Sequence, residues 1–482
     1  MSLFIDAIVR VNEGRLRGLM SGEGVKAFLG IPYAAPPVGE LRFRKPRPRT
    51  GWFGIREAQN FGPCTPQYDL EKGSFYQKEF YPTEKYTDED GLYLNIWTAA
   101  ESADAGLPVF VWIHGGAFVE GSGSALQFRG NALARRGLVV VTLNYRLGPF
   151  GFLAHPSLTA REGSSGNYAL WDQLAALKWV RKNIAAFGGD PENVTLAGQS
   201  AGSYCVGALM TSPLAEGLFH RVILQSGSVL RGRTVLPMPA AERAGLAFAA
   251  SLGGEEALYT TSWQDLLAAA KDFPRMSIIR DGMLLPEDPG AVFTRGGQHK
   301  VDMISCSCED EGCIAKPDPR DAEHYELLLK QAGEAGPALA AAFPVDHPED
   351  AYRRLLELRA ASAYAGMAAL AKAQSLTGAK VWSACFCKRL PGDGGIGPFH
   401  SAELVYEFGT LDTSWRPWES SDYALSRDMM AYWANFCRTG DPNGSGLPRW
   451  TPFSPGKVMR LDSPCGMGEA FTSAQRRAIG AE

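Results

Sequence analysis

The 482-residue sequence lacks the features that mark membrane-spanning, secreted and nucleic-acid-binding proteins. It has no apolar run of the about 18 residues that a membrane-spanning helix needs. Its N-terminus has no charged region followed by an apolar core, so we expect no signal peptide. A formal net charge of −4, without a long basic stretch, disfavours nucleic-acid binding. Repeats, linkers and low-complexity stretches are also absent, whereas a hydrophobic content of 45% is enough for a large core.

A G-x-S-x-G motif at residues 198–202 is the strongest chemical signal in the chain. The motif alone is common, but here residues 193–197 predict a buried strand before it and residues 203–210 predict a helix after it. Such a strand–turn–helix elbow exposes the serine oxygen, and the start of the helix favours negative charge beside it. Ser200 is therefore the candidate nucleophile.

A serine hydroxyl needs a base that takes its proton and a third group that orients the base. Five of the seven histidines follow the motif: His220, His299, His324, His347 and His400. His400 has the most informative setting, because it follows a predicted buried strand at 381–387 and a glycine-rich loop at 391–395. We therefore favour His400 as the base over an ordinary surface histidine.

Candidate acids follow another predicted strand, at residues 301–307. Glu309, Asp310 and Glu311 stand in a row after it, and their spacing does not distinguish between them. Clusters of this kind are usually solvated, so the pattern is weak on its own. The residues by themselves predict an acid at this strand end without choosing among the three.

A further loop follows the apolar segment 107–113, which predicts a buried strand. The loop begins with His114, Gly115 and Gly116, and paired glycines let backbone N–H groups turn toward a developing oxyanion. The alternative is a glycine turn without function, since such pairs are common. We expect His114 to pack or form hydrogen bonds rather than to act as a second base.

More motifs are spread along the chain in a consistent order. They occupy residues 28–34, 36–43, 89–95, 144–148, 172–180, 183–184, 187–191, 225–228 and 439–443. Together with the elbow motif they resemble the type B carboxylesterase/lipase family, which includes cholinesterases and bacterial para-nitrobenzyl esterases. The resemblance spans residues 28 to 443 and is highly specific.

The expected architecture is an α/β-hydrolase fold. Strand and helix signals alternate in the first half, which predicts a mostly parallel central sheet with helices on both faces, and the resemblance implies the same. Residues 321–331 and 350–373 predict helices, and in the family such helices cap the gorge above the serine. We expect one domain over residues 1–482, with a mainly helical cap at about 237–375.

The resemblance implies a catalytic role for each candidate. Ser200 resembles the nucleophile, and His400 resembles the general base that later acts as an acid. Glu311 is similar to the family's acid, which selects it from the row of three carboxylates. The backbone N–H groups at Gly116, at Ala117 and at Ala201 resemble the oxyanion donors.

Four other residues match the family's pattern or depart from it. Ser226 matches a serine close to the triad, so we expect it to form a hydrogen bond behind the catalytic groups. Gln199 stands where cholinesterases have a glutamate, which makes choline esters less favoured substrates. Arg42 and Glu89 match a structural ion pair.

The function that the resemblance implies is that of a serine carboxylesterase. It would hydrolyse small-molecule carboxylic esters through an acyl-enzyme on Ser200, without a metal or an organic cofactor. One alternative is the same machinery specialised for acetyl or feruloyl polysaccharide esters, carbamates or amides. A non-catalytic adhesion domain is the remote alternative, disfavoured because the serine, glutamate and histidine are all retained. Oligomeric state and acyl preference are not predicted.

An aromatic stretch at residues 68–86 has two interpretations. Its rings could line the rim of a substrate gorge and stack on an aromatic group of the ester, or they could pack a long loop. The rings are Phe75, Tyr76, Phe80 and Tyr81.

The nine cysteines predict a cytoplasmic protein with free thiols. Secreted family members close a loop with two cysteines; Cys64 fits the first position, but Gly91 stands at the second. Two C-x-C pairs, at 306–308 and 385–387, lie on the strands predicted before the acid and the histidine. If the strands are neighbours, four thiols could gather into a zinc or redox site, although small buried side chains are the commoner explanation.

We expect nine alkylated thiols when the denatured protein is labelled without reductant, because no disulfide is predicted. Intact-protein mass spectrometry measures the number of labels. A count below nine in freshly purified protein would contradict the prediction.

Overall fold

The computed structural model describes residues 7–80, 86–231, 235–273, 277–313, 317–392 and 396–482. Strands in these ranges form one large sheet and two small ones. The strands are Ile8–Val11 (β1), Gly14–Arg17 (β2), Leu19–Met20 (β3), Lys26–Pro32 (β4), Ile55–Glu57 (β5), Tyr93–Thr98 (β6), Leu107–Ile113 (β7), Val139–Leu143 (β8), Gly189–Gln199 (β9), Arg221–Gln225 (β10), Leu236–Pro237 (β11), Ile279–Arg280 (β12), Asp302–Cys308 (β13), Val381–Phe386 (β14), Lys457–Leu461 (β15) and Gly466–Glu469 (β16).

Helices alternate with these strands along the same ranges. The α-helices are Phe75–Phe80 (α1), Asn131–Ala134 (α2), Gly148–Phe152 (α3), Pro156–Glu162 (α4), Tyr168–Asn183 (α5), Ala201–Leu209 (α6), Met238–Ser251 (α7), Ala257–Thr260 (α8), Trp263–Ala270 (α9), Pro289–Thr294 (α10), Asp321–Gln331 (α11), Gly336–Ala342 (α12), Ala351–Ser375 (α13), Leu404–Glu407 (α14), Ser420–Thr439 (α15) and Ser473–Ile479 (α16). Short 3₁₀ turns include Leu126–Phe128 and Leu411–Thr413.

The large sheet has the strand order β16-β15-β14-β13-β10-β9-β7-β8-β6-β4-β3. All neighbours from β15 to β8 run parallel. The strands outside this run, β16 at one edge and β6, β4 and β3 at the other, pair antiparallel with their neighbours. The expectation of an α/β fold with a mostly parallel central sheet is confirmed.

Both faces of the sheet are covered, because successive side chains of a strand point to opposite sides. On β7, Val109 and Val111 belong to a core cluster that includes side chains of α5, α6 and α13. Phe110 and Trp112 belong to the other cluster, which includes side chains of α2, α14 and α15. Strands buried on both faces read as continuous apolar runs, which is why this segment shows no alternation.

Parallel strands place their carboxyl ends at one edge of the sheet, and the candidate residues follow those ends. The glycine loop follows β7, Ser200 follows β9, and Ser226 follows β10. Glu311 and His400 come after β13 and β14, the next two strands in the order. The sheet therefore gathers segments that are far apart in the chain.

The region from 237 to 375 is mainly helical where it is described, and contains α7 to α13 together with β12 and β13. The predicted helix at 321–331 matches α11, and the one predicted at 350–373 corresponds to α13, which begins one residue later and ends two residues later. Helices α11, α12, α13 and α16 share a separate apolar cluster.

Two buried ion pairs join distant parts of the chain. Arg42 Nε donates to Glu89 Oε2 at 2.7 Å, and this is the structural pair that the resemblance implied. Arg146 Nε donates to Asp172 Oδ2 at 2.8 Å, with both side chains almost fully buried. Removing one partner of such a pair leaves an uncompensated charge, at a cost of about 3–5 kcal/mol.

The two C-x-C pairs lie on opposite faces of the sheet. Strands β13 and β14 are neighbours, but their register pairs Ser307 with Cys385. Cys385 therefore faces away from Cys306 and Cys308, and it packs with Cys387 in another cluster. The hypothesis that the four thiols gather is wrong. Within the described ranges, no group of three or more His, Cys, Asp or Glu side chains is placed to hold a metal ion.

The segment between Cys64 and Gly91 is joined at its base by main-chain hydrogen bonds. The N–H of Cys64 donates to the carbonyl of Tyr86 at 2.8 Å, and the N–H of Asp88 donates to the carbonyl of Cys64 at 3.0 Å. A Cβ at Gly91 would lie 2.7 Å from Cγ2 of Thr65, so a side chain there would need the threonine to shift. Cys64 is buried as a free thiol.

None of the helices in the described part of the chain is both long and apolar enough to cross a membrane.

Candidate active site

Ser200 occupies a strained turn between β9 and α6. Its φ and ψ are 55° and −122°, a conformation that non-glycine residues rarely adopt. The turn is held by the Ser200 N–H, which donates to the carbonyl of Gln225 at 2.8 Å. A Cβ at Gly202 would lie 2.0 Å from the carbonyl oxygen of Ile113, so only glycine fits there. Close packing against β7 therefore explains the second glycine of the motif.

Glu311 is the carboxylate, of the three in its row, that contacts His400. The distance from Glu311 Oε2 to His400 Nδ1 is 2.5 Å. Its other oxygen accepts a hydrogen bond from the N–H of Cys308 at 2.9 Å, which fixes the carboxylate at the end of β13. Glu309 instead accepts from Arg460 at 2.8 Å.

The contact between Glu311 and His400 shifts both of their pKa values. Burial acts to lower the pKa of His400, but the charge and hydrogen bond of Glu311 outweigh it, so the pKa rises above the ordinary 6.5. Burial acts to raise the pKa of Glu311, but His400 outweighs it and lowers the pKa overall. Glu311 is therefore ionised and favours a charged imidazole.

Gln199 contacts the other side of the imidazole. Its Nε2 lies 3.2 Å from His400 Nε2 and donates to Ser401 Oγ at 2.9 Å. Ser200 and His400 line the same cavity, but no hydrogen bond joins Ser200 Oγ to His400 or to any other described residue. The structure thus brings the glutamate and histidine together, while the amide of Gln199 holds the nitrogen that would face the serine.

The glycine loop after β7 adopts left-handed backbone conformations, with φ values of 105° at Gly116, 56° at Ala117 and 68° at Phe118. The N–H groups of Gly116 and Ala117 donate no hydrogen bond to any described residue. Ala201 is the first residue of α6, a position whose N–H has no acceptor within a helix. A Cβ at Gly116 would lie 2.0 Å from the carbonyl oxygen of Glu120, so the loop requires glycine there.

Ser226 and Glu403 lie behind the glutamate. The Ser226 hydroxyl helps to lower the pKa of Glu311, although no hydrogen bond of normal geometry joins the two side chains. Burial, followed by the charge of Glu311, raises the pKa of Glu403. Glu403 therefore retains its proton more readily than a solvated glutamate, and the Cys308 thiol donates to it at 3.1 Å.

A cavity of about 200 Å³ opens beside Ser200 and His400. Of the described residues, none between 237 and 375 lines it, so its wall comes from elsewhere than the predicted cap. Besides the catalytic candidates and the glycine loop, the wall includes Tyr76, Phe80, His114, Glu120, Gly121, Gln127, Phe128, Gln199, Ser401 and Leu404.

The described rings of the aromatic stretch occupy two kinds of position. Tyr76 and Phe80 line the cavity, whereas Phe75 packs edge-on against Phe399 with ring centroids 4.8 Å apart. Tyr81 lies outside the described residues, as do residues 393–395 of the glycine-rich loop.

Helix α1, which carries these rings, is fixed by a buried ion pair. Glu79 accepts from Arg416 Nε at 3.0 Å and from Trp415 Nε1 at 3.1 Å. The Tyr76 hydroxyl donates to the main-chain carbonyl of His400 at 3.3 Å, so α1 also contacts the histidine loop directly.

His114 has a structural environment, as expected. Its ring stacks on Tyr145 with centroids 4.3 Å apart, and its Nδ1 lies 2.7 Å from the carbonyl oxygen of Gly115. The Tyr145 hydroxyl donates to the His114 carbonyl at 2.7 Å. These contacts fix the start of the glycine loop.

Sequence reasoning missed two parts of the cavity wall, one after the glycine loop and one after the histidine. Gln127 and Phe128 lie in a 3₁₀ turn after the loop, and Leu404 begins α14 after the histidine. Nothing in their spacing distinguishes them from ordinary buried residues. Only the location of Leu404, four residues after His400, could have suggested it.

Comparison with known proteins identifies the family. A model of the carboxylesterase family matches residues 5–333 and 343–478, most of the chain. The chain belongs to the carboxylesterase family. It has the α/β-hydrolase fold of its structural neighbours, and it is a serine carboxylesterase that hydrolyses carboxylic esters.

Individual relatives of this carboxylesterase align over nearly their whole length. Para-nitrobenzyl esterase of Bacillus subtilis is 37% identical over 458 residues, which are 90% of each chain. Fumonisin B1 esterase of Sphingopyxis macrogoltabida is 35% identical over 477 residues, which are 94% of this chain and 86% of that protein. A solved structure of a PNB esterase matches with a TM-score of 0.83 and 33% identity, and covers 98% of this chain and 99% of that one.

We expect the imidazole of His400 in the carboxylesterase to titrate above 6.5, and Glu311→Gln to move its pKa below that value, because burial is then opposed only by the smaller effect of Glu403. NMR titration of ¹⁵N-histidine-labelled protein measures both values. Glu309→Gln is the control and leaves the titration unchanged, since Glu309 pairs with Arg460. A pKa unaffected by Glu311→Gln would contradict the electrostatic argument.

Proposed function

We propose that Ser200, His400 and Glu311 are the catalytic triad of this carboxylesterase. The observation that carries the proposal is the 2.5 Å contact between Glu311 and His400, beside a cavity that Ser200 also lines. A buried carboxylate that orients an imidazole next to a serine on a strained turn is the arrangement that nucleophilic acyl transfer needs.

In the proposed first step, His400 exchanges its contact with Gln199 for one with Ser200. Nε2 of His400 takes the hydroxyl proton as Ser200 Oγ forms a bond to the ester carbonyl carbon. The imidazolium is stabilised by ionised Glu311. It then gives the proton to the departing alcohol as the carbon–oxygen bond of the ester breaks. Water attacks the acyl-enzyme in the same way and releases the acid.

The proposed oxyanion donors are the N–H groups of Gly116, Ala117 and Ala201. Support comes from the absence of acceptors for the Gly116 and Ala117 N–H groups among the described residues, and from the position of Ala201 directly after Ser200, at the first residue of α6. Each donor of this type contributes about 10²- to 10³-fold to the rate. We assign Ser226 and Gln199 to supporting positions, behind Glu311 and beside His400 respectively.

The proposed substrate is a small carboxylic ester with an apolar acyl or alcohol group. Rings of Tyr76, Phe80 and Phe128 in the cavity wall support this choice. The neutral amide of Gln199, in place of a carboxylate, supports uncharged over choline esters. The names of the relatives, para-nitrobenzyl esterase and fumonisin B1 esterase, agree with ester hydrolysis in general. The aromatic rings in the described cavity wall do not by themselves favour polysaccharide esters, carbamates or amides over simple esters.

We also propose a cytoplasmic location and a single domain. Nine cysteines without a disulfide between them support a reducing compartment. Strands from both ends of the chain in one sheet support a single domain over residues 1–482, with the helical region 237–375 as part of it.

We expect wild-type protein to hydrolyse p-nitrophenyl butyrate, and Ser200→Ala to lower kcat by about 10⁶-fold, because the acyl-enzyme can no longer form. Release of p-nitrophenol from the acetate, butyrate, octanoate and feruloyl esters measures the activity and the size of the acyl pocket. Matching circular dichroism spectra establish that the variant is folded. Substantial turnover by Ser200→Ala on any of these esters would assign the nucleophile elsewhere.

Glu311→Gln should lower kcat by about 10⁴-fold, since the amide neither stabilises the imidazolium nor maintains the required tautomer. Glu309→Gln is the matched control, because it removes a carboxylate of the same row that pairs with Arg460. We expect it to retain activity within about twofold, as a partly exposed ion pair contributes little. If Glu309→Gln lost activity while Glu311→Gln retained it, Glu309 would be the acid of the triad.

A further inference from the structure

Gln127 lines the cavity, and the proposed chemistry does not use its buried polar side chain. It is 4% exposed and lies in the 3₁₀ turn Leu126–Phe128. Its Oε1 is buried without a hydrogen-bond partner, and its side chain forms no hydrogen bond with any described residue. Nearly all buried polar atoms in proteins have a partner, so this amide requires an explanation.

The main chain of Gln127 is fixed independently of its side chain. Its carbonyl accepts a hydrogen bond from Thr410 Oγ1 at 3.0 Å, which ties the turn to the loop at Leu411–Thr413. Thr410 does not line the cavity. The amide is therefore not needed to hold the turn in place.

The cavity wall that contains Gln127 is partly apolar. Phe80, Phe128 and Leu404 are apolar members of the same cavity wall. An unsatisfied buried amide costs more than an apolar side chain of the same shape, which has no donor or acceptor to desolvate. The other amide of the cavity, that of Gln199, is already engaged by His400 and Ser401.

We propose that Gln127 selects esters with a neutral hydrogen-bonding group, such as a hydroxyl or an amide, on the acyl or the alcohol side. The proposal rests on the function proposed for Ser200, because it concerns the same cavity. An amide side chain both donates and accepts, which matches a hydroxyl in either orientation. A neutral group is favoured over an anion because Glu120 lines the same cavity.

A binding site with a hydrogen-bonding group distinguishes substrates with and without a hydroxyl more strongly than an apolar site does. A pocket that hydrogen-bonds a substrate hydroxyl rejects an analogue without it, since the buried polar group of the protein is then left unpaired. A purely apolar pocket instead gains from the replacement of a hydroxyl by a methyl group. For two esters that differ only by a hydroxyl or a methyl group, the first kind of pocket predicts a preference for the hydroxyl ester and the second a preference for the methyl ester.

The test compares kcat/KM for two such pairs. On the acyl side they are the p-nitrophenyl esters of 3-hydroxybutyrate and 3-methylbutyrate; on the alcohol side they are 3-hydroxybenzyl and 3-methylbenzyl butyrate. The proteins are wild type, Gln127→Met, Gln127→Leu and Thr410→Val. The two replacements of Gln127 differ in shape, so a packing defect in one does not determine the result.

We expect the wild type to prefer the hydroxyl ester of at least one pair. Gln127→Met or Gln127→Leu should lower that hydroxyl-to-methyl ratio at least tenfold, mainly by loss of activity on the hydroxyl ester. Thr410→Val should keep the wild-type ratio, because it alters only the support of the turn. The pair that responds identifies the side of the ester that Gln127 contacts.

Three results would overturn the proposal: a wild-type preference for the methyl ester in both pairs, a ratio that neither Gln127 variant changes, or an equal loss on both esters of a pair. The last result would mean that Gln127 supports the fold of the cavity. Failure of the proposed triad has a different signature, namely hydrolysis of p-nitrophenyl butyrate by Ser200→Ala, and it leaves these ratios measurable.

Discussion

The parallel hydrogen-bond ladder through β14, β13, β10, β9 and β7 is the constraint on which the active site depends. It places five carboxyl ends side by side, so the glycine loop, the serine turn, the glutamate and the histidine all begin at one edge of the sheet. Ser200 is further tied to this ladder, because its N–H donates to the last residue of β10. The relative positions of these segments are thus set by backbone hydrogen bonds that do not involve the side chains proposed to be catalytic.

The strands and helices that carry this arrangement were predictable from sequence because the residue patterns that indicate them lie within single short segments. The continuous apolar run of β7 and the glycines around Ser200 reflect burial and close packing at those positions. The helix α11 was predicted with its observed bounds. The choice among the three carboxylates after β13 was not available from their spacing, because it depends on how the loop turns toward His400. That choice came from the family resemblance.

Other features escaped prediction because they depend on contacts between segments. The faces of the two C-x-C pairs follow from the register of β13 against β14, and a shift of one residue would have placed all four thiols on one side. Helices of the 237–375 region were expected to cap the gorge above the serine, yet no described residue of that region lines the cavity, whose wall includes residues of α1, a 3₁₀ turn and α14. Which short segments lie beside the serine and form the cavity wall depends on contacts between distant parts of the chain, which residue patterns do not show.

The segment from Cys64 to Gly91 carries α1, and with it Tyr76 and Phe80 of the cavity wall. Main-chain bonds close the base of this segment, and the buried pair of Glu79 and Arg416 holds its helix. Neither depends on the oxidation state of sulfur. The closure of this segment therefore requires no disulfide, and thiol reductants that would open a disulfide-closed loop leave the position of α1 and its cavity rings unchanged.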